Sequence, residues 1–256
     1  MLVSTILVFQ FVASISSLWA NDGHLVAAFT VSPQSSIRNT LLSMSTSNAV
    51  SKEELQSSID KNLEILYRAA ETKQEDSDAV YNALVDLEKQ MRQLSKLDYP
   101  AVAEEMKKQL NGDWRLVFTT GTANTQKKIG GKVNYFPIKA VQSFRTVDTD
   151  PMTIENGIYA FDTDFALIKF QGLMDFDLKK RKLEFDFDKV TLFSFLDINL
   201  GKGEAAQLGA KSGLGSESNV ANAKRDQKAF FNWISADGKV ATARGGGGGL
   251  ALWKRV

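Results

Sequence analysis

The 256-residue sequence contains no cysteine, which excludes disulfides, thiolate metal sites and thiol nucleophiles. Its one histidine, His24, falls in a segment whose composition marks it for removal. Ser-His-Asp catalysis, His-ligated zinc and imidazole acid–base chemistry are excluded with it. Charge of one sign is also lacking: 31 Lys+Arg against 30 Asp+Glu leave a net +1. There is neither a basic footprint for nucleic acid nor an acidic tail. Any enzyme chemistry is left to carboxylates, lysine, arginine, tyrosine or a cofactor. What is present is a 43% apolar chain with 16 Phe, 4 Trp and 5 Tyr, enough to bury the core of one domain with appendages.

Residues 2–19 (LVSTILVFQFVASISSLW) are uncharged and mostly apolar. They lack the Lys/Arg flank of a spanning helix, and their length and small-residue exit fit the h-region of a secretory signal without its basic start. Cleavage is expected after Ala20 or after Ala28. From Gly23 to Lys52 there is no Asp or Glu, while Ser32, Ser35, Ser36, Ser43, Ser45 and Ser47 recur with Arg38. That is a transit-peptide composition, and signal followed by transit resembles a two-part plastid presequence. A secreted chain with a Ser-rich tail, or a retained anchor, is the alternative.

Ser51-Lys52-Glu53-Glu54 predicts a capping box opening a helix. Leu55, Ile59, Leu63, Leu66 and Ala70 follow at helical spacing; after a polar break at 74–77, so do Val80, Leu84, Leu87, Met91 and Leu94. Two amphipathic helices that mix charge signs are expected to lie on the domain rather than on an anionic membrane. Tyr99-Pro100 ends this region, with one more short helical run at 101–110. From Trp114 the period becomes two, with strand-like runs at 114–119, 133–136, 140–147, 153–161, 165–178, 182–188, 190–200, 229–235, 239–244 and 250–255. Hairpin-length links predict an antiparallel sheet, and so many strands are best relieved of edges by closing into a barrel. Asn156-Gly157 is a possible hairpin turn within a run. Residues 201–228, rich in Gly, Ala, Ser and Lys, are expected to be a flexible insertion without a helix of useful length. The domain plan is therefore 1–50 for targeting, 51–110 helical, and 111–256 a mainly β barrel.

Local motifs offer little chemistry. Gly201-Lys202-Gly203-Glu204-Ala205-Ala206 matches a dinucleotide pattern in the wrong context. The 245–249 glycine run is expected to be a turn rather than an anion cradle. A two-residue turn at Lys180-Arg181 sets Asp177 against Glu184 and Asp175 against Asp186. Opposed like charges require another register, compensating lysines or a cation, and a solvated outer face is the preferred outcome. No catalytic, metal or cofactor residue is assigned. If the acids point outward, Phe176, Leu178, Phe185 and Phe187 point inward with Leu116 and Phe118, lining a barrel that is either filled by side chains or holds one apolar ligand.

The string Asn111-Gly112-Asp113-Trp114-Arg115-Leu116-Val117-Phe118-Thr119-Thr120 carries a Gly-x-Trp opening like that of lipocalins, and as a whole resembles the plastid lipid-associated (plastid fibrillin) family. The closing Asp237, Val240, Arg244-Gly245, Gly248 and Leu250 match the same family, over residues 51–255 in all. Ala241, Gly246, Ala251 and Trp253 depart from its pattern. The resemblance implies a lipocalin-like barrel preceded by a helical hairpin, non-enzymatic, in the plastid. It implies association with a peripheral thylakoid or lipid-globule surface and with an apolar lipid: a prenyl quinone, a carotenoid or a fatty acyl chain. Gly112, Trp114, Asp237, Arg244 and Gly245 are its structural signature. Gly112 is expected at a tight turn, Asp237 to cap a hairpin, and Trp114 to close one end of the barrel against Arg244 as a cation–π pair. The alternatives are an enzyme or accessory of prenyl-lipid metabolism, needing a polar cluster such as Tyr135 or Arg145 with a carboxylate inside, and a packed barrel whose helical hairpin is the working surface.

Overall fold

The computed structural model describes residues 51–132, 134–212 and 217–256; the presequence expected over 1–50 lies outside them. Three helices come first: α1 (Lys52–Thr72), α2 (Ser77–Leu97) and α3 (Tyr99–Leu110). The Ser51–Glu54 capping box forms in both directions, and Asp76 caps α2 through the amides of Asp78 and Ala79. The two apolar stripes are buried at Leu55, Ile59, Leu66 and Ala70 and at Val80, Leu84, Leu87 and Met91. Pro100 starts α3 instead of ending the helical region, because the first turn of a helix needs no N–H from it.

Nine strands follow among the described residues: β1 (Gly112–Thr119), β2 (Lys139–Arg145), β3 (Thr153–Tyr159), β4 (Ala166–Asp177), β5 (Lys182–Leu192), β6 (Leu196–Asn199), β7 (Ala229–Ala236), β8 (Val240–Gly245) and β9 (Leu250–Arg255). A short helix, α4 (Ala123–Ile129), lies between β1 and β2. All pairings are antiparallel in the order β4-β3-β2-β1-β9-β8-β7-β5-β6, and β4 also pairs with β5. The ring therefore closes as an eight-stranded barrel, with β6 attached outside it to β5.

Several local expectations are corrected. β3 runs straight through Asn156-Gly157, which pair with β2 and β4; Gly157 is there because a Cβ would sit 2.6 Å from the Tyr159 ring. The expected 133–136 strand reduces to a single bridge between Tyr135 and Phe118, and Val133 lies outside the described residues. The runs at 182–188 and 190–200 redistribute: β5 continues to Leu192, with a bulge opposite Gln171/Gly172, before β6 begins. The β4–β5 hairpin has a longer turn than two residues, so Asp177 faces Lys182 and Asp175 faces Glu184. Lys228 holds Asp175 at 2.7 Å and Lys182 holds Glu184 at 2.5 Å, so a changed register and compensating lysines both relieve the repulsion. The 201–228 segment carries two helices, α5 (Glu204–Ser212) and α6 (Glu217–Lys224), where no useful helix was expected. α5 is short and depends on docking: its Ala205 and Leu208 pack with Phe170, Val190 and Leu192.

One contact tells inside from outside. Phe144 of β2 and Trp233 of β7 lie four places apart in the closed ring, yet their rings meet edge-to-face at 5.4 Å. Only the barrel interior lets them touch. Cross-strand pairs then place Trp114, Leu116, Gln142, Ile154, Asn156, Leu183, Phe185, Ala241, Ala243, Trp253 and Arg255 inward. The opposite face of β7, β8 and β9 lies beneath the helices: Thr242 bonds Ser235 in a buried pair, Leu250 and Leu252 are buried, and Lys254 reaches Glu71 of α1.

Candidate functional site: the barrel interior

The barrel floor is assembled at the start of β1 and the end of β9. Gly112 has φ 134°, and a Cβ there would lie 2.6 Å from the Arg255 guanidinium. That absence of a side chain lets Arg255 lie over the Trp114 ring, with Cζ 4.2 Å from the centroid. The indole N–H of Trp114 donates to the Leu110 carbonyl at 2.8 Å, tying the floor to α3. Arg255 also donates to the carbonyls of Asn111, Gln109 and Asp237.

The partner of Trp114 is thus Arg255, not the expected Arg244. Arg255 stands opposite Trp114 in the β1–β9 ladder and points inward. Arg244 is on the other face of β8, where it grips Glu88 of α2 through Nε at 3.0 Å and Nη2 at 2.6 Å and donates to the Gly248 carbonyl. Burial alone would raise the Glu88 carboxyl, but the hydrogen bonds and charge of Arg244, with Arg92, outweigh it and hold the group below its ordinary range. Arg244 is a clasp between helix and barrel. Asp237 does cap the β7–β8 turn, accepting from the amides of Lys239 and Val240, and its other oxygen accepts from the Tyr67 hydroxyl at 2.8 Å. Gly245 opens the expected turn, its N–H bonded to the Gly249 carbonyl.

Above Trp114 the interior is aromatic. Trp233 contacts Trp253 at 5.4 Å and Phe231 at 5.8 Å, and Phe185 stacks on Phe231 at 5.3 Å. Ile154, Met174 and Leu183 are buried among the same core. Of the six candidate lining residues, Leu116, Phe176, Phe185 and Phe187 do face inward. Phe118 does not: a bulge after Leu116 turns it outward beside Leu252, where it is fully buried against Tyr135. Leu178 lies beyond the end of β4, in the hairpin turn, accepting from the Arg181 amide. Sequence reasoning missed Phe144, Phe231, Trp233 and Trp253. Their alternation was visible, but nothing local says which alternating set a closed ring turns inward.

Five unpartnered polar atoms face this interior: the Nε of Arg255 at the floor and four others. The Oε1 of Gln142, the Oδ1 of Asn156 and the indole nitrogens of Trp233 and Trp253 are buried with no hydrogen-bond partner among the described residues. Gln142 and Asn156 are cross-strand neighbours, and both tryptophans are only 2% exposed. Buried polar groups normally find partners. Two acceptors and two donors suit a guest that is largely apolar and carries oxygen. Inward-facing Leu116, Gln142, Asn156, Ile168, Phe187 and Phe231 are half-buried rather than sealed.

The polar cluster required of an enzyme is not brought together here. Tyr135 donates to the Glu75 carbonyl outside the barrel, and Arg145 pairs with Asp113 at 2.9 Å on the outer face.

The mouth lies at the opposite end from Trp114. There β5 leaves β7: Lys182–Phe185 pair with β7, whereas Lys189–Leu192 pair with β6. α5 covers the resulting gap with Ala205 and Leu208. Among the described residues no helix is long and apolar enough to cross a membrane.

Comparison with known proteins agrees with this architecture. The family model PAP_fibrillin matches residues 51–250, the helical hairpin and nearly all of the barrel. No curated protein and no solved structure matches the chain.

Proposed function

Because the chain belongs to the PAP_fibrillin family of plastid lipid-associated proteins, we propose that it is a non-enzymatic protein that holds a largely apolar, oxygen-bearing lipid in its barrel and organises such lipid at thylakoids or lipid globules. The observation that carries this reading is the set of unpartnered donors and acceptors, Trp233, Trp253, Gln142 and Asn156, inside a ring that is apolar apart from Arg255 at its floor. A hydroxylated carotenoid, whose hydroxyl both donates and accepts, meets both halves of that chemistry; a prenyl quinone or a fatty carboxylate, which only accepts, meets the indole half, and a plain hydrocarbon meets neither. The two indoles stand ready to donate to a carbonyl or carboxylate oxygen, and the two amide oxygens to accept from a hydroxyl.

The aromatic floor favours a second reading for the lower barrel, a packed support for the helical hairpin. The two coexist if guests occupy only the mouth half. The deciding experiment purifies the protein from its own plastid and identifies co-purifying lipids by mass spectrometry. One dominant oxygen-bearing lipid at near-equimolar amount is expected. No lipid, with no rise in Tm on adding a short-chain prenyl quinone or cis-parinaric acid, would leave only the packed support.

A further inference from the structure

The barrel mouth carries phenylalanines where solvent-facing turns normally carry polar residues. Phe161 is 90% exposed on the turn between β3 and β4, with Phe165 at 45% beside it; Phe195 is 78% exposed on the turn between β5 and β6. The two turns form one unit. The Ser194 hydroxyl accepts from the Ala166 amide at 2.8 Å, the Phe193 amide donates to the Leu167 carbonyl, and the Ala160 amide donates to the Phe165 carbonyl. The rings of Phe193 and Phe195 stack at 6.4 Å. Phe161 (φ 53°), Phe193 (φ 53°) and Ser194 (φ 63°) sit in the left-handed region, which bulky residues rarely adopt. Strained backbone conformations cluster at functional surfaces. β6 continues the surface with exposed Leu196 and Ile198.

The acids at the same place each have a cation within ion-pair distance. Asp162 and Asp164 lie between Phe161 and Phe165, and each has its own cation: Arg115 at 2.7 Å and Lys139 at 3.0 Å. Asp197 of β6 is held by Lys189 at 2.6 Å. The tips therefore present rings on convex turns with their acids already paired. Convex tips offer little facing area to a folded partner, which needs a broad complementary patch, but they suit insertion among lipid headgroups.

We propose that Phe161, Phe165 and Phe195, with Leu196 and Ile198 behind them, enter a lipid surface, so that the barrel docks mouth-down with this end facing the acyl chains. The proposal rests on the lipid-holding reading and gives it an entry route: the guest passes from the lipid layer into the barrel without crossing water.

The test introduces an emitter at each position in the full chain: Phe161→Trp, Phe195→Trp, and Leu173→Trp as a control on the outer face of β4, which is 48% exposed but lies toward the floor. Each is read as a difference from the parent on adding phosphatidylcholine vesicles with brominated acyl chains. Emission at 161 and 195 is expected to be quenched and blue-shifted, and emission at 173 unchanged. This comparison is independent of any binding through residues 1–50. Equal quenching at all three sites, or none, overturns the proposal. A blue shift at 161 and 195 that grows with protein concentration without vesicles also overturns it, by showing that a second copy covers the rim. A Phe161→Ser/Phe195→Ser variant separates the two readings. It should lose vesicle flotation relative to the parent yet still bind cis-parinaric acid; loss of the probe from parent and variant alike counts against the interior, not the rim.

Discussion

The floor and the mouth of this barrel share the same strands and the same alternation, yet they are built for opposite ends. At the floor each strand has a partner on both sides, the Trp114 indole is satisfied by Leu110, and rings from opposite walls touch. At the mouth β5 deserts β7 for β6, a short helix fills the gap, and phenyl rings stand in solvent. Cohesion concentrated at one end leaves the other free to keep groups that cost stability, as binding regions commonly do.

The contrast can be broken most forcefully at the floor. Trp114→Ala removes a fully buried indole, its hydrogen bond and its cation–π partner, and is expected to cost about 3–5 kcal/mol in denaturant unfolding. A loss below about 1 kcal/mol would deny the floor its special role. A double-mutant cycle with Arg255→Met should show a coupling of about 0.5–2 kcal/mol, while the same cycle with Arg244→Met should show none.

A smaller effect is expected where helix meets barrel. Glu88, its side chain only 12% exposed, is the carboxylate of Arg244. Glu88→Gln should cost about 1–3 kcal/mol at neutral pH by leaving that guanidinium without its countercharge. Because the folded carboxyl titrates below the unfolded one, the pair contributes fully above the ordinary glutamate range. Its contribution is lost as pH falls toward the folded value. Acid titration of Tm should therefore descend more steeply in the parent than in the variant; parallel curves would remove the clasp from the account.

The smallest change in stability belongs to the unpartnered amide oxygens of the interior. Gln142→Leu with Asn156→Leu replaces two amides whose oxygens lack partners by apolar groups of similar size, so unfolding should shift by less than about 1 kcal/mol in either direction. The same variant should lose preference for a hydroxylated guest over a hydrocarbon one, read from the lipids that co-purify. A large destabilisation would mean that the amides are structural.

Much of this was legible in the chain. Ser51 and Glu54, the two apolar stripes and the change of period at Trp114 are local signals with a range of a few residues, and they survive folding unchanged. Asp237 as a turn cap and 245–249 as a turn were equally local. The misassignments share one cause. Asn156-Gly157 looks like a turn until strands on both sides claim it, Phe118 looks inward until a bulge reverses it, and α5 looks formless until Val190 and Phe170 supply a surface.

The sequence by itself determined that helices precede an antiparallel barrel and that cysteine and histidine chemistry are absent from it, because periodicity and composition are properties of neighbouring residues. Only the tertiary structure decided that Arg255 rather than Arg244 covers Trp114, that five polar atoms face the interior unpaired, and that Phe161 and Phe195 share one rim. Each of these depends on which face a closed ring turns inward and which distant strands it brings together, and chain-neighbour patterns carry no record of closure.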